Sequence, residues 1–163
     1  YSGGFSIYAL QSGATKVVSV DASERAIGLV EKNISINEID PNLHEAVVAD
    51  VTNYLKTTDT FDIVILDPPA YAKTLDKRHQ AVQGYKRLNI AGLKAVKSGG
   101  LLFTFSCSQV VDTQLFYQTI VAAGIEAGRN IRVLHHLSQG ADHPVNLFHP
   151  ESSYLKGLVL YVD

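Results

Sequence analysis

The chain has 163 residues, 46% hydrophobic and 18% charged, a balance too apolar for a disordered segment and a length suited to one domain with a buried core. No apolar run approaches the roughly 20 residues that a membrane helix needs, and no basic-then-apolar leader stands at the start, so a cytoplasmic protein without membrane contact is expected. A formal charge of −2 excludes a surface that is basic throughout, and the single cysteine, Cys107, excludes an internal disulfide.

The first recognisable feature is Ser2-Gly3-Gly4-Phe5. Glycines at Gly3 and Gly4 let backbone approach a ligand closely, and Phe5 starts a helix behind them. A loop of this kind normally follows a buried strand, so a first, central strand is expected ahead of it and outside this sequence. The run KVVSV at 16–20 reads as a strand and delivers Asp21 and Ala22 at its end. Residues 23–37 read as a helix, with Ser23 capping the amides, Glu24 at the positive end, and Ile27, Val30 and Ile34 at helical spacing.

A strand at 46–49 (AVVA) leads to Asp50 and Val51, and another at 61–66 (FDIVIL) leads to Asp67-Pro68-Pro69. A helix over 78–97 lines up Val82, Tyr85, Leu88, Leu93 and Val96, and Gly99-Gly100 stops it before a strand at 101–105 (LLFTF). A helix over 111–124 turns Leu115, Phe116, Ile120 and Ala123 to the core. Strands at 131–134 and 157–162 close the chain, separated by an aperiodic stretch, 135–154, read as a long functional loop. Strands alternating with helices predict an α/β fold with a mostly parallel twisted sheet and helices on both faces.

Charge is concentrated in one place. Lys73, Lys77, Arg78, Lys86, Arg87, Lys94 and Lys97 face the single acid Asp76, so half of the 14 basic side chains lie within residues 73–97. Such a segment is either a solvated helix face or a ridge that contacts phosphates.

In open α/β sheets ligands bind where strands end at their carboxyl side. Asp21, Asp50 and Asp67 each follow a strand. Any one of them could be a turn former or helix cap, but recurrence at three strand ends in succession is what a nucleoside-binding crest predicts. A dinucleotide dehydrogenase is disfavoured, because Ser2-Gly3-Gly4-Phe5-Ser6-Ile7 lacks the third glycine and the spacing that a pyrophosphate requires.

The pieces YSGGFS, VDASERAIGLVEKN, VVADV, LDPPAYAK, GYKRLN, KSGGLLFTFSCS and DHPVNLFHPESSYLKGLVL follow one another over nearly the whole chain. Together they resemble the class I, Rossmann-like S-adenosylmethionine-dependent methyltransferase domain of the bacterial 5-methylcytosine methyltransferases of large-subunit (23S) ribosomal RNA. Members of that family carry a small PUA RNA-binding domain in front. LDPP together with SCS and the YLKGL ending is the specific part of the resemblance.

The resemblance implies an antiparallel last strand and one catalytic domain over 1–163. It implies that Gly3 sits near the cofactor's amino-acid end, that Asp21 holds the ribose hydroxyls and that Asp50 accepts from the adenine amino group. Gly4, Phe5, Ala22 and Val51 line the same site, and Asp67 lies where methionine meets substrate. Ribosomal RNA is the implied partner. No metal is expected, and association of two copies is compatible with the sequence.

The C5 carbon of cytosine is a weak nucleophile, so covalent activation is needed. A thiolate that adds to C6 makes C5 reactive toward a methyl donor. Cys107, between Ser106 and Ser108 just beyond LLFTF, is the candidate nucleophile, against the plainer reading of a buried structural thiol. Lys73 or Lys86 could favour its thiolate. Pro68 and Pro69 stiffen the backbone after Asp67, whose carboxylate can hydrogen-bond the base as charge shifts.

An adenine-amino methyltransferase would place an aromatic directly after the prolines, where this chain has Ala70 before Tyr71. Tyr71, Phe148 or Tyr154 could stack on an unstacked base. Asp142, His143, Glu151 or a water are candidates for removing the C5 proton. Two alternatives remain open: methyl transfer to another acceptor, such as an RNA guanine or a protein, with Cys107 incidental, and a non-catalytic nucleoside- or RNA-binding module.

Overall fold

The computed structural model describes residues 2–163, and the chain divides into two compact units that meet at Thr57 and Thr58. Each unit is built around its own hydrogen-bonded sheet.

In the first unit α1 (Gly4–Gln11), β1 (Val17–Asp21), α2 (Glu24–Ile36), β2 (His44–Val48) and α3 (Val51–Thr57) follow in order. β1 and β2 pair in parallel from Val17↔His44 to Asp21↔Val48, which brings Asp21 and the residues after Val48 to the same end of the pair. Ser23 caps α2 as its sequence predicts, its side chain accepting from the Ala26 N–H at 3.3 Å. Ile27, Val30 and Ile34 are buried along the helical stripe, and Val30 and Ile34 join Leu10 of α1 in a small core that Ile7, Val17 and Ile39 cover. α3 is an element that periodicity did not reveal.

The second unit contains β3 (Phe61–Leu66), α4 (Arg78–Ala95), β4 (Val96–Ser106), α5 (Thr113–Ala127), β5 (Ile131–Leu137) and β6 (Lys156–Val162). Its sheet has the order β3-β4-β6-β5, with β3 parallel to β4 and β6 antiparallel to both β4 and β5. The last strand is therefore the antiparallel one, and it lies inside the sheet. No ladder joins β1 or β2 to the other four strands among the described residues.

α4 packs on one face of this sheet. The space a side chain at Gly92 would fill is taken by Leu66 Cδ1 at 2.7 Å, so helix and strands approach to a distance only glycine allows. Beneath lie Leu102, Thr104 and Ser106 of β4 with Leu158, Leu160 and Val162 of β6, all buried. Phe116, Ile120 and Ala123 of α5 are buried as predicted, whereas Leu115 stays half-exposed one position off that stripe. α4 ends at Ala95 rather than 97 and β4 follows at once from Val96; within it Gly99 holds a φ of 83°, a turn conformation suited to glycine.

Candidate active site

The first unit presents one half of the predicted residues. Gly3 holds φ 81° and ψ 16° at the start of α1, a left-handed conformation, and its carbonyl accepts from the Ile7 N–H at 3.0 Å. The loop is fastened to α2, since Asn33 Nδ2 donates to the Ser2 carbonyl at 2.8 Å and a Cβ on Gly3 would stand 3.0 Å from Val30 Cγ1. Gly4 has open space where a side chain would be, and Phe5 and Ala22 are exposed.

Asp21 Oδ1 accepts from the Ser23 N–H at 2.8 Å, and Asp50 Oδ1 accepts from the Asn53 N–H at 2.8 Å, so Asp50 also caps α3, which begins at Val51. Turn former and candidate ligand are thus the same residue in both cases. One oxygen orients each carboxylate, and no further hydrogen bond or ion pair among the described residues is drawn on either. Two carboxylates at neighbouring strand ends beside an open glycine accept hydrogen bonds from hydroxyl and amino groups and repel phosphate. That donor set fits a nucleoside bearing a positive charge, as S-adenosylmethionine does, better than a dinucleotide.

The second unit presents the other half. β3 and β4 run parallel with Leu66 opposite Thr104, so Asp67 and Cys107 emerge at the same end of adjacent strands. Asp67 is exposed by area, yet desolvation of its carboxyl by the surrounding protein pushes it above the usual carboxylate range. Pro68 is half-buried and Pro69 exposed. The Tyr71 ring lies over Gly84 of α4, where a Cβ would meet Tyr71 Cδ2 at 2.9 Å, and its centroid is 4.7 Å from that of Tyr85.

Tyr85, wholly buried, points its hydroxyl beside the Ser106 side chain and the Tyr71 backbone. Burial pushes the phenol above its ordinary range, and negative charge on Cys107 and Asp67 would push it the same way.

Cys107 is half-buried, between Ser106 and Ser108, which are both enclosed. Ser108 N–H is donated to Ser106 Oγ at 3.3 Å, and Ser108 Oγ donates to the Ala72 carbonyl at 2.9 Å, tying the cysteine turn to the segment that follows Asp67. The Lys156 ammonium, on β6 opposite Ser106, donates to the Ser108 carbonyl. Sequence reasoning missed Tyr85, Ser108 and Lys156 as parts of this cluster. A lysine opening an otherwise apolar strand was the one available signal.

The basic segment is mostly free. Lys86, offered as a cation for the thiolate and for substrate, is instead half-buried against Glu126 of α5 at 2.6 Å, and Lys97 pairs with Asp62 at 3.0 Å. No ion pair among the described residues holds Lys73, Lys77, Arg78, Arg87 or Lys94, and all five are exposed.

In the long loop the candidate bases pair locally. His143 Nδ1 lies 3.2 Å from Asp142 Oδ2, and His149 Nδ1 lies 3.3 Å from Glu151 Oε1, all well exposed. Phe148 is 90% exposed, an apolar ring with no core to fill, whereas Tyr154 is half-buried with its N–H donated to Gln139 Oε1 at 2.9 Å. No cluster of metal ligands occurs among the described residues, and no helix there is long and apolar enough to cross a membrane.

The crowding at Asp67 has a measurable consequence. With its folded value raised, the unfolded chain releases the Asp67 proton first as pH rises, so the folded state loses stability between the ordinary aspartate value near 3.8 and the raised one. Asp67→Asn removes that loss. In urea titrations the variant is expected to gain on the parent protein as pH climbs above the ordinary aspartate value, reaching a constant advantage above the raised one. A difference between the two that does not change with pH would contradict it.

Comparison with known proteins supplies the frame for this geometry. Residues 2–106 match the family model described as Conserved hypothetical protein 95. The ribosomal RNA large subunit methyltransferase I of Alteromonas mediterranea is 42% identical over 99% of this chain and 42% of that protein, and the protein of the same name from Escherichia coli O139:H28 is 37% identical over 99% of this chain and 42% of that protein. The crystal structure of SMU.776 complexed with SAH superposes with a TM-score of 0.82 at 26% identity, covering 99% of this chain and 43% of that one. The chain thus spans about two fifths of the length of these relatives.

Proposed function

Given that the chain belongs to the Conserved hypothetical protein 95 family and has the class I methyltransferase fold, we propose that it is the catalytic domain of an S-adenosylmethionine-dependent methyltransferase of large-subunit ribosomal RNA, acting on C5 of a cytosine. A PUA-type RNA-binding domain would complete it within a longer protein. The observation that carries this reading is that Asp67 and Cys107 leave the same end of adjacent parallel strands, with Cys107 half-buried between two enclosed serines.

Gly3, Gly4, Phe5, Asp21, Ala22, Asp50 and Val51 would hold the cofactor, with Asp21 and Asp50 taking hydrogen bonds from its ribose and adenine and Asp67 at its methionine end. When bound, the cofactor supplies an electrophilic methyl group. The chain's own work is to prepare the base. Cys107 Sγ forms a bond to C6, the C5–C6 double bond opens, and Asp67 hydrogen-bonds the pyrimidine as negative charge moves onto it. Once C5 carries the methyl group and has given its proton to a base or water, the C6–S bond breaks and the thiolate leaves.

Pro68 and Pro69 hold Asp67 rigidly, and Tyr71 offers a ring for stacking on the extruded base. Lys73 and its exposed basic neighbours along α4 supply phosphate contacts, while Lys86 would first have to leave Glu126.

Mass spectrometry of large-subunit ribosomal RNA from cells lacking the gene tests the whole reading. Loss of one 5-methylcytosine, restored by the intact gene, is expected. Loss of a different methylated nucleotide would overturn the cytosine assignment, and an unaltered RNA would overturn the substrate.

A further inference from the structure

Lys156 is 6% exposed, a lysine on the sheet face that otherwise carries Leu158, Leu160 and Val162 into the core. Enclosing an ammonium is costly unless partners compensate, so its partners show what it serves. One is the Ser108 carbonyl, the peptide group immediately after Cys107. Burial draws the ammonium below its ordinary range, while the Cys107 sulfur and the Asp112 carboxylate act on it in the opposite direction and favour its charged form.

Cys107 acts on Lys156 and Tyr85, and Asp112 and Asp67 act on those two in turn. Lys156 comes from β6, Asp67 from the end of β3, Tyr85 from α4 and Asp112 from the cap of α5, where its Oδ1 accepts from the Leu115 N–H at 2.8 Å. Only one of the four is a cation. Lys86 is committed to Glu126, and Lys73 is exposed.

We infer that Lys156 is the positioning residue of the nucleophile: its buried ammonium fixes the Cys107–Ser108 turn through the Ser108 carbonyl and stands as counter-charge to the thiolate. The inference rests on the reading of Cys107 as nucleophile. The same hydrogen bond stiffens a longer path, because Ser108 Oγ is donated to the Ala72 carbonyl, so Lys156 holds the turn that carries Cys107 against the segment that carries Asp67 and Tyr71. Opposite charge nearby favours an ionised thiol, whereas a neutral side chain of similar length would keep the packing and lose that effect.

Alkylation by iodoacetamide, followed on Cys107 by mass spectrometry between pH 6 and 10, reads the thiolate without cofactor or RNA. Lys156→Met is expected to slow alkylation at pH 7 about tenfold and to approach the parent rate at pH 10, one pH unit being a factor of ten in thiolate. Lys156→Arg, which keeps the charge, should recover most of the neutral rate. Leu158→Ala, a comparable core lesion on the same face, should leave the profile unchanged. A Lys156→Met profile superimposed on the parent's would overturn the inference.

Should that variant fail to fold, the parent protein answers: carboxamidomethylating Cys107 must lower the midpoint at which the Lys156 side chain titrates by NMR, and an unmoved midpoint overturns the pairing. These readouts are independent of methyl transfer. A Cys107→Ala protein that still methylates RNA would sink the nucleophile reading, while unaltered alkylation in Lys156→Met beside an inactive Cys107→Ala protein would sink only the role of Lys156.

Discussion

Cys107→Ala is expected to remove methyl transfer to RNA, by on the order of 10³-fold or more, because covalent activation of the pyrimidine has no substitute once its nucleophile is gone. Binding of S-adenosylmethionine by calorimetry should be unchanged, since Cys107 is not among the residues assigned to the cofactor. The chemistry requires this pairing of outcomes. A variant that retains more than about a tenth of the parent rate would leave Cys107 a bystander and move the acceptor away from a pyrimidine carbon. Lost cofactor binding together with lost turnover would point to a collapsed fold instead, so both measurements belong in the same experiment.

Phe116→Ala carries the largest expected cost in stability. The ring is completely buried and meets Tyr85 edge-on at 5.7 Å between centroids, with Tyr117 at 6.2 Å on another side. Truncation removes those contacts and opens a cavity, typically worth 3–5 kcal/mol, or a fall in Tm of about 10 °C for a chain of this size. The cavity opens against the ring of Tyr85, whose hydroxyl lies beside Ser106. Thermal unfolding followed by circular dichroism should show the fall. A loss below about 1 kcal/mol would mean that α5 is not held to α4 in the way its packing indicates.

Legibility in the sequence followed burial and local chemistry. FDIVIL was recovered residue for residue because an apolar run bounded by Asp67-Pro68 admits little else. α2 was readable because Ser23, Glu24 and the Ile27, Val30, Ile34 stripe all point to one element. α3 was not, since Val51–Thr57 is short, without period, and its cap had already been taken for a ligand.

Within the candidate site, the strand-end acids and Cys107 could be located because they follow strands. What those residues face could not be. Lys86 meets Glu126 across 40 positions of sequence, and Lys156 meets Ser108 across 48, distances over which no local pattern carries information. Gly84 gave no sign either, yet it is the surface on which Tyr71 rests.

The place of β6 between β4 and β5 governs the order in which the second sheet can be assembled. During synthesis β5 leaves the ribosome with nothing to pair with, and it waits until the chain as far as Val162 has emerged, when one insertion zips both ladders together. Until then the apolar edge of β4 is exposed to other chains. A chain that stops short of Lys156 therefore leaves β5 unpaired and one edge of β4 open.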